Sequence, residues 1–381
     1  MKLNIAIIPN EGYLTKNLIL SLVSGKYDFN WYLIDVDRPD LGTDFKLSIE
    51  ELTLFKRVVI NSDFDNKKFR EKKKWLLSKV KIIQPDLIIS FTSLNFSYRC
   101  LRYNFPKLKM FVVQTAFLSG KNTFKPIGYR IRNKIRNFIL NAPVYSFSNV
   151  FFEYHKYTMF GAWSKKYIPE VKQSNLIFCE IGNYELDQFL KPRRDLGVLE
   201  VKEKMSMTYF TQPLVHYFGK NANQKVQDLI SSVLEAYPDI NLLIKLHPRD
   251  KEANYTGLIE SNLDRVTWAD RGENVMTILE KTDVFITHYS TTMDAAVAMN
   301  IPVLIIDPEE NFAKLIPEKR FFIRIISKVE DVDLTDLYFT NAQSRLNERN
   351  TYLLKVAGNI KGDSAERILD SMFDFLNATI N

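Results

Sequence analysis

Asn241-Leu242-Leu243-Ile244-Lys245-Leu246-His247-Pro248-Arg249 and, further along, Val284-Phe285-Ile286-Thr287-His288-Tyr289-Ser290-Thr291-Thr292-Met293-Asp294 are the stretches whose reading decides the fold. Each opens as a short apolar run of strand length and closes in polar, phosphate-compatible groups. Near-continuous apolar runs are the mark of strands buried on both faces of a parallel sheet. A helix-like stretch follows the second. In an open α/β sheet, ligands bind outside the carboxyl ends of the strands. Two such loops in one unit therefore read as a nucleotide-diphosphate or nucleotide-monophosphate pocket, and hence as a transferase with a nucleotide-linked donor.

The same rhythm runs outward from these stretches. Strands are predicted at 206–210, 265–268 and 303–306, and helices at 223–236, 274–280 and 292–299, with another ending at 261. Val226, Leu229, Ile230, Val233 and Leu234 fall at helical spacing. The first half reads as strands at 3–8, 29–34, 57–60, 87–91, 108–113, 150–152 and 176–181, helices at 14–23 and 67–80, and a helical turn over 155–163. Such alternation predicts two α/β lobes with a cleft between them. The boundaries expected are 1–190 for the first, 200–355 for the second, and 356–381 for a C-terminal helix, amphipathic over 366–375, that crosses back to the first. The linker falls in 190–204, which is charged and contains Pro192.

Composition narrows the class. A chain of 381 residues exceeds one ordinary core and suits two domains. Hydrophobic residues make up 46%, yet no apolar run reaches bilayer-spanning length. The apolar start at 3–8 is too short for a signal peptide and lacks a cleavage site. Cys100 and Cys179 have neither disulfide-framework nor metal-site spacing, so a reducing cytoplasm is expected. A net charge of +7 favours anionic partners, meaning nucleotides, acidic glycans or an anionic membrane face.

Individual residues carry competing readings. Ser290, Thr291 and Thr292 begin a helix whose unpaired N–H groups form a phosphate seat. Thr291 with Asp294 is equally a capping box. His247, held by Pro248 and flanked by Lys245 and Arg249, is suited to donate to a phosphate oxygen or to protonate a leaving phosphate. Alternatively it is a surface-loop histidine, and Lys245 faces a carboxylate. Gly182 and Gln212 follow strands and are candidates for donor contacts, as is His288, which also reads as a packed turn residue. A transferase needs a base for the acceptor hydroxyl. Glu11, after the first strand, and Glu153, beside His155, are the candidates. No carboxylate pair has metal-binding spacing, so metal-independent chemistry without a cofactor is expected. Residues 121–136 carry Lys125, Arg130, Arg132, Lys134 and Arg136 with no acid. On a helix they form a basic face suited to anionic lipid or an acidic glycan acceptor, or simply a solvated one.

The segments at 245–249 and 287–294, with Gly182 and Asp187, resemble the bacterial capsule and wall-polymer transferases of GT-B fold. These include polysialyltransferases, CMP-Kdo transferases and CDP-glycerol glycerophosphotransferases. The resemblance covers most of the second half. It implies two Rossmann-like domains with facing parallel sheets, a cytidine-nucleotide donor in the C-terminal lobe and a glycan or lipid-linked acceptor in the N-terminal one. It places His247 and Pro248 on the donor phosphate, with Ser290, Thr291 and Thr292. Glycerophosphotransferases carry a His-Gly pair after a first-lobe strand. Here the stretch is Gln114-Thr115-Ala116-Phe117. That favours a carboxylate base and leaves Gln114 and Thr115, with Arg130 and Arg132, as acceptor contacts. The expectation is an inverting glycosyltransferase using a CMP-activated sialic-acid-like or Kdo-like sugar, cytoplasmic or peripheral on the inner membrane face, with no nucleic-acid partner. Alternatives are CDP-glycerol or CDP-ribitol polymer synthesis, a UDP-GlcNAc 2-epimerase, and a non-catalytic glycan- or lipid-binding protein.

Overall fold

The computed structural model describes residues 2–9, 13–35, 47–60, 69–91, 100–102, 104–114, 157–162, 177–190, 204–288, 290, 292–308, 323–334 and 342–378. The chain divides into two compact units. The first comprises Met1–Glu185, Val356–Asn359 and Asp363–Asn381, the second Leu186–Lys355 and Ile360–Gly362.

The first unit is built on seven described strands, all parallel: β1 (Asn4–Ile8), β2 (Asn30–Asp35), β3 (Arg57–Ile60), β4 (Leu87–Ser90), β5 (Lys109–Val113), β6 (Thr158–Ala162) and β7 (Ile177–Glu180). Their order is 3-2-1-4-5-6-7. Helices α1 (Tyr13–Val23), α2 (Ile49–Leu52) and α3 (Phe69–Ile83) lie between its early strands. Successive strand residues go to opposite faces. Ile5, Ile7 and Ile89 pack with Leu18, Ile19 and Leu22 of α1. Ala6, Ile8 and Ile88 pack with Leu76, Val80 and Ile83 of α3.

β6 corrects the expected helical turn at 155–163. Thr158-Met159-Phe160-Gly161-Ala162 is buried throughout and pairs with both β5 and β7. A short apolar run has no periodicity that separates a buried strand from a helix. Gly161 permits the close fit, since a Cβ there would lie 2.9 Å from both Phe111 and Ile181.

The second unit has six described parallel strands: β8 (Met205–Phe210), β9 (Ile240–Lys245), β10 (Val266–Trp268), β11 (Val284–Thr287), β12 (Val303–Ile306) and β13 (Ile323–Ile326). Its helices are α4 (Leu214–Phe218), α5 (Lys220–Ala236), α6 (Thr256–Glu260), α7 (Val275–Glu280), α8 (Thr292–Ala298) and α9 (Ala342–Ala357). The sheet runs β10-β9-β8-β11-β12-β13, the Rossmann order 3-2-1-4-5-6. Val226, Leu229, Ile230, Val233 and Leu234 of α5 are buried with Met207, Tyr209, Leu242, Ile244, Val284 and Ile286. The strand order reverses between β8 and β11, so this sheet's topological switch point lies there.

A last helix, α10 (Ser364–Asn377), adds Ile368, Leu369, Met372 and Phe375 to the α1 side of the first unit's core. Burying each of these side chains stabilises by about 1.5–3 kcal/mol. The Lys109 ammonium donates to the carbonyls of Phe375 and Leu376 at 2.7 and 2.8 Å, capping the helix end with a positive charge. Among the described residues no helix is long and apolar enough to cross a membrane.

Candidate functional site

At the carboxyl ends of β9, β8 and β11, three neighbouring strands, the second unit gathers Thr211, Gln212, His247, Ser290 and Thr292. The loop after β9 is the most constrained. Asp250 N–H donates to the His247 carbonyl at 2.8 Å, closing a turn with Pro248 at its second position. His247 N–H donates to Thr211 Oγ1 at 3.0 Å, and Thr211 N–H to the Lys245 carbonyl at 3.0 Å. The end of β8 therefore holds the start of the loop.

The imidazole of His247 is half-buried. Its Nδ1 accepts the Arg249 N–H at 3.1 Å. Burial first, then the Arg249 charge, push this imidazole below its usual range, and Asp250 pulls weakly the other way. A neutral ring whose Nδ1 accepts carries its proton on Nε2. His247 is thus prepared as a hydrogen-bond donor, the role suited to a phosphate oxygen. Pro248 and Arg249 are exposed on the same turn.

After β11, Ser290 Oγ accepts the Thr292 N–H at 3.2 Å and sits 3.2 Å from Thr292 Oγ1, with Met293 N–H donating to the Ser290 carbonyl. Ser290 thereby satisfies the first N–H of α8. Both Ser290 and Thr292 are half-buried, as is Gln212 after β8.

Three other expected donor contacts in this unit are turned inward. Lys245 is buried, and its ammonium donates to the carbonyls of Asp270, Arg271 and Glu273, the last two at 2.8 and 3.1 Å. Those bonds account for its three N–H groups, so Lys245 supports the loop after β10 and has no donor left for a ligand. Asp294 is 1% exposed and accepts the Tyr352 hydroxyl at 2.7 Å, tying α8 to α9. His288 is fully buried, with Nδ1 2.8 Å from the Ile306 carbonyl and Nε2 2.8 Å from the Tyr209 hydroxyl. Burial pushes its pKa down to about 4, against the Ile306 carbonyl and Asp250, which raise it.

Gly182 and Gln114 belong to the first unit. Gly182 has φ +81° and lies where a Cβ would meet Asn359 at 2.6 Å, so it serves the fit of the returning chain. Gln114, at the end of β5, is 2% exposed, and its N–H donates to the Gly161 carbonyl. Glu11, Thr115, Arg130, Arg132, Glu153 and Thr291 lie outside the described residues. So do the basic segment 121–136, the expected strand at 150–152 and most of the expected linker. Asp250, Tyr255, Tyr209 and Thr211 were not singled out from sequence. Asp250 had a signal, as the last position of a turn with proline second.

No family model and no curated protein matches this sequence. Solved structures do. The UDP-GlcNAc 2-epimerase from Methanocaldococcus jannaschii is similar at TM-score 0.58 and 15% identity, over 98% of this chain and 99% of that one. The UDP-GlcNAc 2-epimerase from Neisseria meningitidis, solved bound to UDP-GlcNAc, is similar at 0.55 and 12%, over 98% and 100%. The wall teichoic acid polymerase TagF, as an H444N variant, is similar at 0.54 and 12%, over 98% and 89%. At these identities the likeness shows the fold. The chain has the two Rossmann-like α/β units of the GT-B class, the architecture of nucleotide-sugar enzymes of more than one chemistry.

Proposed function

We propose that this chain is a nucleotide-sugar enzyme that receives the nucleotide phosphates at the carboxyl edge of its second unit. Its substrate is a UDP-linked N-acetylhexosamine, isomerised at C2. The observation carrying the phosphate assignment is the His247 imidazole, neutral, oriented through Nδ1 and offering Nε2–H beside the β8/β11 switch point. A positioned donor at that edge stabilises anionic oxygens without reorganising during the reaction. The isomerase reading is supported by the near-complete mutual coverage with the 2-epimerases and by the UDP-GlcNAc bound in one of them. Inversion at C2 needs a base to remove the proton there, and Glu11 and Glu153, expected from sequence as the base for an acceptor hydroxyl, are the candidates for this different role.

The test is UDP-GlcNAc alone in deuterium oxide, followed by proton NMR. Isomerisation at C2 exchanges the C2 hydrogen for deuterium and forms the C2 epimer without an acceptor. Absence of both, with sugar transfer from a CMP-sugar to an added glycan, would overturn it in favour of transfer. That second reading is supported by the likeness to TagF and by the hydroxyl pair Ser290–Thr292. Parallel assays with CDP-glycerol and CMP-sugar separate its two forms.

A further inference from the structure

Two buried hydrogen-bonded pairs, His288–Tyr209 and Tyr255–Asp250, pack ring to ring beneath the candidate phosphate edge, between β12 and the His247 turn. His288 Nδ1 faces the Ile306 carbonyl at 2.8 Å. A carbonyl only accepts, so Nδ1 carries the proton and Nε2, in the neutral ring, must accept. The Tyr209 hydroxyl therefore donates to Nε2 at 2.8 Å. The Tyr209 and Tyr255 rings meet edge to face at 6.1 Å. Tyr255 donates to Asp250 Oδ2 at 2.7 Å. Asp250 Oδ1 accepts from Lys251 N–H at 2.9 Å and Asn254 Nδ2 at 2.8 Å. Asp250 N–H closes the turn onto the His247 carbonyl. Tyr209, Tyr255 and His288 are fully buried, and Asp250 is 5% exposed.

This set is expensive to bury for packing alone. Apolar side chains would fill the same space without four groups needing mutual partners. Its two ends are instructive. One is the first residue after β11, two positions before Ser290. The other is the last residue of the turn that carries His247.

We propose that Tyr209, Tyr255, Asp250 and His288 are positioning residues that lock the β9 and β11 loops in one register and so fix the His247 imidazole in its Nε2–H form. The functional value of this rests on the nucleotide-phosphate reading above. The positioning itself does not.

The test uses the full chain, free of ligand, with histidine labelled by nitrogen-15. Long-range nitrogen–proton correlation reads the tautomer of His247 in the wild type, Tyr209→Phe, Tyr255→Phe and Asp250→Asn. Each phenylalanine keeps the ring and removes one hydroxyl. Wild type is expected to show Nε2–H alone. Tyr255→Phe and Asp250→Asn are expected to give a mixture of tautomers, and Tyr209→Phe a smaller shift in the same direction. UDP affinity, measured by calorimetry, should fall about tenfold in Tyr255→Phe. Combining it with Tyr209→Phe should lower it little further, because the two rings are in contact and support the same loop. A purely structural role would lower the melting temperature and leave the His247 resonances of the folded protein unchanged, and that result overturns the proposal. Should Tyr209→Phe fail to fold, Tyr255→Phe and Asp250→Asn decide it. Tautomer mixtures in the variants, together with no UDP binding by the wild type, sink the nucleotide reading and uphold the positioning.

Discussion

The Arg249 N–H donates to Nδ1 of His247 at 3.1 Å, so a residue two positions on decides which end of the imidazole carries the proton. The outcome is a donor at Nε2, on a half-buried ring whose pKa is lowered by burial and the nearby guanidinium.

Substitution at His247 should follow this geometry. Alanine removes the Nε2 donor. Asparagine keeps an acceptor for Arg249 N–H and offers nothing at the Nε2 position. Both are expected to weaken UDP binding about tenfold or more, the value of one hydrogen bond to a charged oxygen. Glutamine, whose amide reaches the Nε2 position, should retain most of the affinity. Calorimetry on the three variants checks it, and three wild-type affinities would remove His247 from the ligand.

Lys245 is expected to behave in the opposite way. Lys245→Met leaves the carbonyls of Asp270, Arg271 and Glu273 without their shared donor. The second unit should lose about 2–3 kcal/mol of stability, as for a buried charge-assisted contact. UDP affinity measured well below the melting temperature should stay within a factor of two. Urea unfolding and calorimetry on the same preparation separate the effects.

His288 makes the second unit sensitive to acid. Its folded pKa is about 4, below the ordinary 6.5 of the unfolded chain. The unfolded state therefore binds more protons between those values, and stability falls as pH drops from 6.5 to 4. The contribution is present in full above 6.5 and amounts to about 3 kcal/mol by linkage. Below 4 it adds no further slope. Urea unfolding from pH 7 to 4 should be markedly flatter in His288→Gln than in the wild type.

Much of the architecture was legible because buried parallel strands are written as plain apolar runs. Val284-Phe285-Ile286 and Leu242-Leu243-Ile244 read as strands through their short length and the polar loops that close them, and the α5 positions from Val226 to Leu234 mark their own buried face. β6 was misread because five buried residues carry no period, and β13 was missed. Side-chain direction at strand ends was harder. Lys245, Asp294, His288 and His247 are all polar residues at or just past a strand, and nothing local says whether a carbonyl or a ligand awaits them. One clue was present. Val284 and Ile286 face α5, so strand alternation carries His288 to the same buried side.

Gly182 offers a test confined to the first unit. Gly182→Ala places a methyl group 2.6 Å from Asn359 Cβ and 2.9 Å from Ser364 Oγ, at φ +81°. Overpacking together with left-handed strain predicts a loss of about 3 kcal/mol. The melting transition of the first unit should drop while UDP affinity in the second is unchanged.

The place of α10 in the first unit's core orders events on the ribosome. Ile368, Leu369, Met372 and Phe375 pack with Ile5 and Ile7, yet they are translated after every described strand of both sheets. The second unit can therefore complete its folding first, while the earlier-made sheet waits with an apolar face uncovered. During that interval the nascent first unit is the part exposed to aggregation and in need of chaperone cover.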